Sequence, residues 1–363
     1  MNLHQKERLF AVFESVGIPV GAVFVAMLLF AGFVLLTGGS PIEVFRLLYK
    51  GGFGSAFALQ NTLQRAAPLI LTGVAVAIPA QAGMVVIGGE GALALGALAS
   101  GIAGYALSGL PPHLVQFGML SVGALCGGIW IGLSEWLLSY RGVNETISSL
   151  LLSYTGIAIF HHLVEGPLKD PASLNKPSTH PIDEVNMIGD IPGLEVHFGL
   201  LIGIAFALIA WIILKFTSLG YSLQMVGGNQ RAAQMAGLRV QHWLVGAAMV
   251  GGVAAGLAGA IEVGAVQGAA NSSVIVGYGY TGILVAFLAR QNPLGVILFA
   301  VLIGGFNAAG GMLQRRLDMP DATVLVLQGI TFVAIIAGET FVGHLRSPVR
   351  RRTAGSALPV NDK

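Results

Sequence analysis

Apolar runs close to the length that crosses a bilayer recur from residue 19 to residue 337 of this 363-residue chain. In lipid, every backbone N–H and C=O must find its partner inside the protein, so only helices or closed barrels can span. Runs of nearly twenty residues favour helices over strands. Composition agrees: the chain is 55% hydrophobic and 10% charged, with a mean hydropathy of +0.78, where a soluble domain carries roughly a quarter charged residues. Its 52 glycines suit membrane helices whose backbones approach closely. The expected fold is all-α, a polytopic membrane protein with about ten transmembrane helices, some of them broken or re-entrant.

The hydropathy pattern places spans at 19–36, from Ala66 onward with Pro68 in the first turn, and at 92–107, 114–138 and 144–163. Further spans follow at 198–216, 243–266, 279–289 (short for a full crossing), 293–312 and 322–337. The second run is interrupted by Pro79, Gln81 and Gly83, then by Gly88-Gly89-Glu90-Gly91. A break at membrane depth is tolerated only where the freed backbone lies in protein or lines a cavity. This divides the chain into an inner N-terminal segment (1–18), a transmembrane domain (19–339) and a basic inner tail (340–363). The first run follows Lys6 and Arg8 and lacks a small-residue cleavage site, so it reads as a retained span. Residues 164–197 form an outer loop in which six acidic residues stand against Lys169 and Lys176. Residues 217–242 form an inner loop. With the N-terminus inside, twelve Lys and Arg face inward and seven outward, the expected sign, with Arg315 and Arg316 the exception.

A faint internal echo bears on that pair. GGEGALALGALA from Gly88 resembles GYGYTGILVAFLA from Gly277, and Gly127-Gly128 before Arg141 resembles Gly304-Gly305 before Arg315. Five crossings separate the copies, so the two halves would be inverted, with Arg315 and Arg316 outside by symmetry.

The segment from Gly220 to Leu238, GYSLQMVGGNQRAAQMAGL, is too polar and glycine-rich to cross a bilayer. Asn229 can cap a helix there and Gly237 can end it, leaving about two turns between. Ala232, Met235 and Ala236 fall on one face. So short a helix needs a surface to pack on, which is either its own protein or a soluble partner.

Little else suggests reaction chemistry. No G-x-x-x-x-G-K-[ST] loop and no H-E-x-x-H occurs. His161 and His162 are adjacent and make a poor metal pair, while Ser148, Ser149 and Ser153 are expected to hydrogen-bond within or between helices. The lone Cys126 excludes an internal disulfide. No catalytic residue, metal site, cofactor or nucleic-acid partner is predicted, the net charge being +2. What remains is a set of polar groups at membrane depth: Glu90, Asn144, Glu145, Glu262, Asn307 and Gln328. The structural alternatives are Glu90 as a cap of the broken helix around it and, on an equal footing with a path role, Glu145 in the first turn of its span, while Glu262 leans structural.

Several stretches carry a family resemblance. Gly220-Tyr221, Val226-Gly227-Gly228-Asn229, Ala232-Ala233 and Gly237-Leu238 resemble the cytoplasmic coupling loop of bacterial ABC-importer permeases. The family contains branched-chain amino acid, ribose-type and nucleoside permeases. Ile87-Gly88-Gly89-Glu90-Gly91 is similar to its N-I-G-x-E-G, with Val86 in place of the asparagine, and Asn144-Glu145-Thr146-Ile147 to its N-E-x-I. Gly166-Pro167-Leu168-Lys169-Asp170-Pro171, Gly277-Tyr278-Gly279-Tyr280 with Gly282, and Asn292-Pro293-Leu294-Gly295 extend the likeness from about Asn61 to Gly338 and favour the nucleoside or simple-sugar branch.

The resemblance implies alternating access without bond chemistry, in the bacterial cytoplasmic membrane. It implies a separate ABC ATPase, a second homologous permease chain, an extracytoplasmic substrate-binding protein and surrounding membrane lipid as partners. It places Gly228, Asn229, Ala232, Ala233, Met235, Ala236 and Gly237 at the ATPase contact; the polar groups at membrane depth, Glu90, Asn144, Glu145, Asn307 and Gln328, are the candidates along the substrate path. The rival is a self-sufficient ion-coupled transporter in which Glu90 and Glu145 take up the ion. An intramembrane enzyme is disfavoured by the missing catalytic pattern.

Overall fold

The computed structural model describes residues 3–173, 175–320 and 322–345, the backbone alone at 3–16, 18, 19 and 339–345. The basic tail expected from Arg346 lies outside the described residues. Thirteen α-helices occur among those residues: α1 Leu3–Leu36, α2 Pro41–Gly52, α3 Ala56–Gln81, α4 Gly89–Ala106, α5 Pro112–Arg141, α6 Glu145–Glu165, α7 Gly199–Phe216, α8 Ser218–Gly228, α9 Gln230–Met235, α10 Val240–Ile261, α11 Tyr278–Leu288, α12 Pro293–Leu317 and α13 Ala322–Leu345. There are no strands among them, only two isolated bridges. Six helices (α3, α5, α6, α7, α10 and α12) are long and apolar enough to cross a membrane, or seven spans if α1 and α2 form one broken span.

The chain divides into two units, residues 1–44 with 321–363, and residues 45–320. In the first, α1 and α13 pack against each other. The expected polar segment 1–18 is mostly the beginning of α1.

In the second unit the most extensive pairing is α5 against α10, and glycine makes it possible. A Cβ on Gly127 would lie 2.7 Å from the Gly256 Cα and overlap the Gly252 carbonyl oxygen. A Cβ on Gly96 of α4 would sit 2.6 Å from the same Gly256 Cα. Three backbones meet there at the closest spacing helices allow. The pairings are also reciprocal: α10 packs on α4 and α5 as α3 packs on α11 and α12.

One helix start departs from expectation. α3 begins at Ala56, ten residues before Ala66, because Ser55 caps it by accepting from the Ala58 N–H (3.1 Å). Pro68 is therefore interior rather than in a first turn. Pro68 and Pro79 each remove a backbone hydrogen bond, and both lie in the buried part of α3, walled by protein. Arg315 and Arg316 occupy the last turn of α12, where cations favour the negative end of the helix dipole.

The predicted outer loop is ordered against the segment after α10. Thr179 N donates to Ala270 O, Ile182 N to Gly268 O and Ile188 N to Gly264 O, at 2.7–3.0 Å. Residues 189–198 fold back on themselves, with Ile191 N donating to Val196 O and Phe198 N to Gly189 O. This buries His197, which is 2% exposed. Burial holds its imidazole below the usual value of 6.5, against the opposing pull of the Asp190 carboxylate and the Gln64 backbone. A depressed pKa means the fold favours the neutral ring. Its stability contribution is complete above about pH 6.5 and is lost as pH falls towards the folded value. The exchange protection of the Ile191 and Phe198 amides, taken relative to the intrinsic rate at each pH, should fall between pH 7 and pH 5, and His197→Phe should flatten that dependence. Equal protection at both pH values in the unaltered chain would show that His197 carries none of it.

Candidate functional site

The chain breaks after α3 and again after α10, and each break is followed by a short apolar helix. α3 ends at Gln81, Gly83 adopts a left-handed φ of +78°, and α4 starts at Gly89. α10 continues into a π-helical turn, Glu262–Gln267, and α11 starts after Gly277 at φ +86°. The first turns of α4 and α11 meet. A Cβ on Gly279 would overlap the Glu90 backbone nitrogen, and one on Gly89 would lie 3.5 Å from the Gly279 Cα.

Glu90 sits at this crossing, fully buried. Its carboxylate accepts from the Gly277 N–H (2.8 Å) and the Gly279 N–H (2.5 Å). It therefore caps α11, where the dipole favours a negative charge, rather than the helix that carries it. Its own helix is served from α6: Ser153 Oγ accepts from Gly91 N (2.9 Å) and Ser149 Oγ from Ile87 N (3.1 Å). Thr146 Oγ1 donates to Val85 O (3.0 Å). Thr146, Ser149 and Ser153 recur at i, i+3 and i+7, so one face of α6 fastens the whole break. The interhelical bonds expected of Ser149 and Ser153 are present, while Ser148 bonds weakly to Ser134 O (3.4 Å) and locally to Glu145 O (3.2 Å).

The other predicted path residues lie elsewhere. Asn144 is exposed and caps α6, accepting from Ile147 N at 3.1 Å, and Glu145 follows in the first turn. Asn307 is half-buried on α12. Gln328 is buried on α13, in the other unit. Glu262 is buried at the end of α10, where it accepts from Gln267 Nε2 (3.2 Å).

Sequence reasoning passed over Tyr278, Tyr280, Arg65 and Glu135. Arg65 lies near the buried Tyr278, and the Tyr280 hydroxyl is buried without a hydrogen-bond partner among the described residues. Glu135, within α5, is fully buried with Ser139 as its hydrogen-bond donor (3.4 Å). The G-Y-G-Y spacing was a usable signal for the first two, since two glycine amides two residues apart present paired donors to a carboxylate. No group of three or more His, Cys, Asp or Glu residues could hold a metal among the described residues.

The segment from Gly220 to Leu238 forms as the caps require. Asn229 accepts from Ala232 N (3.1 Å), α9 runs Gln230–Met235, and Gly237 ends it at φ +85°. Met235 is 84% exposed, and Gly228, Asn229, Ala232, Ala236 and Gly237 are exposed too. Ala233 is the exception: it is fully buried, turned towards its own chain, where α9 packs on α8 and α10. Just upstream, a Cβ on Gly227 would meet Gly83 N at 3.0 Å and overlap Gln81 O. Gln81 Nε2 in turn donates to Gln291 O (3.0 Å) in the turn between α11 and α12. The α8–α9 segment thus rests directly on the first helix break.

Residues 58–336 match the family described as the branched-chain amino acid transport system / permease component. The chain is 29% identical to the glucose ABC transporter permease protein TsgB13 of Haloferax volcanii, across 90% of this chain and 88% of that protein. It is 28% identical to the guanosine ABC transporter permease protein NupP of Bacillus subtilis, across 93% and 97%. It is 26% identical to the nucleoside ABC transporter permease protein NupB of Lactococcus lactis, across 89% and 91%. With the match covering most of its length, the chain belongs to the permease-component family of branched-chain amino acid transport systems.

Proposed function

We propose that this chain is the permease subunit of an ABC importer for nucleosides or related ribose-containing compounds and simple sugars. The observation that carries the reading is the α8–α9 segment, a capped helix offering Ala232, Met235 and Ala236 to solvent while its base rests on the α3 break. The named activities of the relatives, guanosine, nucleoside and glucose transport, support the substrate range. NupP and NupQ, two guanosine permease proteins of one organism that both resemble this chain, support a second, homologous permease beside it. ATP hydrolysis then belongs to a separate subunit, and a binding protein delivers substrate to the outer face.

Ten crossings of a cytoplasmic membrane follow if α1, α4, α11 and α13 are counted with the six long spans. The reciprocal pairing of α3 and α10 supports an inverted repeat. ATPase closure would press on α9, and the Gly227 contact would carry that movement to the break before α4. Glu90 serves here as an internal cap, which disfavours the ion-coupled alternative.

The ATPase-facing test belongs at the exposed positions, since Ala233→Asp would place a charge inside this chain's own packing. Ala232→Asp and Met235→Asp should leave membrane abundance unchanged, reduce ATPase copurification at least about tenfold and abolish uptake, because one desolvated, unpaired charge costs several kcal/mol at an interface. Normal assembly and uptake in both variants would remove α9 from the contact.

A further inference from the structure

Between α3, α7, α8 and α10 lies an apolar cavity of about 570 Å³, within the usual range for a bound organic ligand. Phe206 and Ile213 of α7, Leu219 and Leu223 of α8, and Trp243 and Val250 of α10 form its walls, with His242 at one edge. Gly246 faces it, and a Cβ there would meet nothing within 4 Å. Walls of this kind gain dispersion contacts from an apolar occupant, and lipid chains are the apolar material a membrane supplies.

The stretch from α7 to α10, which supplies three of its walls, carries charge of one sign. No Asp or Glu occurs between Glu195 and Glu262, whereas Lys215, Arg231 and Arg239 do. Lys215 closes α7, its Nζ 5.0 Å from the Trp211 ring centre and 5.4 Å from that of Phe216. An ammonium held over aromatic rings at a helix end is an interfacial anchor. Arg239 is the residue from which α10 starts, one turn before Trp243.

We propose that this cavity holds one acyl chain of an anionic phospholipid, with the headgroup phosphate on Lys215 and Arg239. Basic clusters at a membrane surface select anionic lipid by charge, and no acidic residue of α7–α10 opposes it. The site bears on coupling because one wall is α8. Gly220 packs so closely on α7 that a Cβ would overlap the Leu214 carbonyl oxygen, so α8 cannot shift without reshaping the cavity. A bound chain would steady the segment that the proposed function assigns to the ATPase. That consequence rests on the proposed function, while the binding does not.

The test is native mass spectrometry of the purified full chain, in detergent doped with phosphatidylglycerol or phosphatidylcholine of identical acyl chains. The unaltered chain should retain one phosphatidylglycerol in preference to phosphatidylcholine. Gly246→Phe, which pushes a ring into the cavity, should bind it markedly more weakly. Lys215→Gln with Arg239→Gln, both exposed positions, should bind phosphatidylglycerol about thirtyfold more weakly, as expected for two surface cations at about 1 kcal/mol each. Equal retention of the two lipids by the unaltered chain, or full retention in the double variant, overturns the proposal. So does full retention in a folded Gly246→Phe chain, or a dimer that carries no lipid, which would mean protein covers the cavity. If Gly246→Phe fails to fold, the double variant still decides. No ATPase or substrate takes part, so failure here leaves the permease reading standing.

Discussion

Glu90→Leu is expected to deplete folded protein from the membrane. The substitution leaves the Gly277 and Gly279 amides buried without an acceptor, at about 1–3 kcal/mol for each unsatisfied group. A combined loss of about 4 kcal/mol is a large fraction of ordinary stability. Glu90→Gln keeps one acceptor oxygen but turns an amide NH2 towards the other donor, so it should fall between the two. Thermal unfolding of the purified variants, read beside membrane abundance and uptake, gives the order. The ion-coupled alternative expects another result, with Glu90→Gln abolishing uptake at full abundance and unaltered melting.

Gly127→Ala should be nearly as damaging, although it adds one methyl group. Its Cβ would meet backbone atoms of Gly252 and Gly256, which no side-chain rotation can move aside. α5 and α10 must separate, at about 3 kcal/mol, the upper end of ordinary overpacking. Gly246→Ala on α10 is the control, because its Cβ enters open space and the change lowers unfolded-state entropy, within about 1 kcal/mol of neutral. Denaturant or thermal unfolding of the two side by side separates them. Similar stabilities would mean that the α5–α10 spacing is softer than its geometry indicates.

These contrasts show which parts of the fold could be read from residues. The existence of the apolar helices was legible, because lipid leaves a chain few alternatives. α9 was legible for another reason: Asn229 and Gly237 are local signals whose partners lie within a turn. Pro68 misled, since the propensity rule placing proline in a first turn is overridden where neighbouring helices wall in the freed backbone. Ala233 and Ala232 are adjacent and chemically identical, and only tertiary packing decides which one faces inward. Glu90 could be flagged as costly at depth, but its donors lie 187 and 189 residues downstream. No local pattern links them. Asn144 is the reverse case, a residue placed on the path whose side chain serves a helix end within three residues of itself.

The distance between Glu90 and its donors has a consequence for biogenesis. Chains are made from the N-terminus at about 5–20 residues per second, so α4 exists for roughly 10–40 s before Gly277 and Gly279 leave the ribosome. Throughout that interval a carboxylate has reached the membrane without the two amides that will hold it. Ser149 and Ser153 arrive about 60 residues after the backbone groups they bind, a few seconds at the same rate. The nascent chain can therefore secure the α4 backbone early, while the Glu90 side chain must wait, hydrated or protonated, for the second half to be inserted. Ribosomes stalled between residues 165 and 276 should yield chains in which a cysteine at position 90 is open to water-soluble thiol reagents, and release to full length should close it.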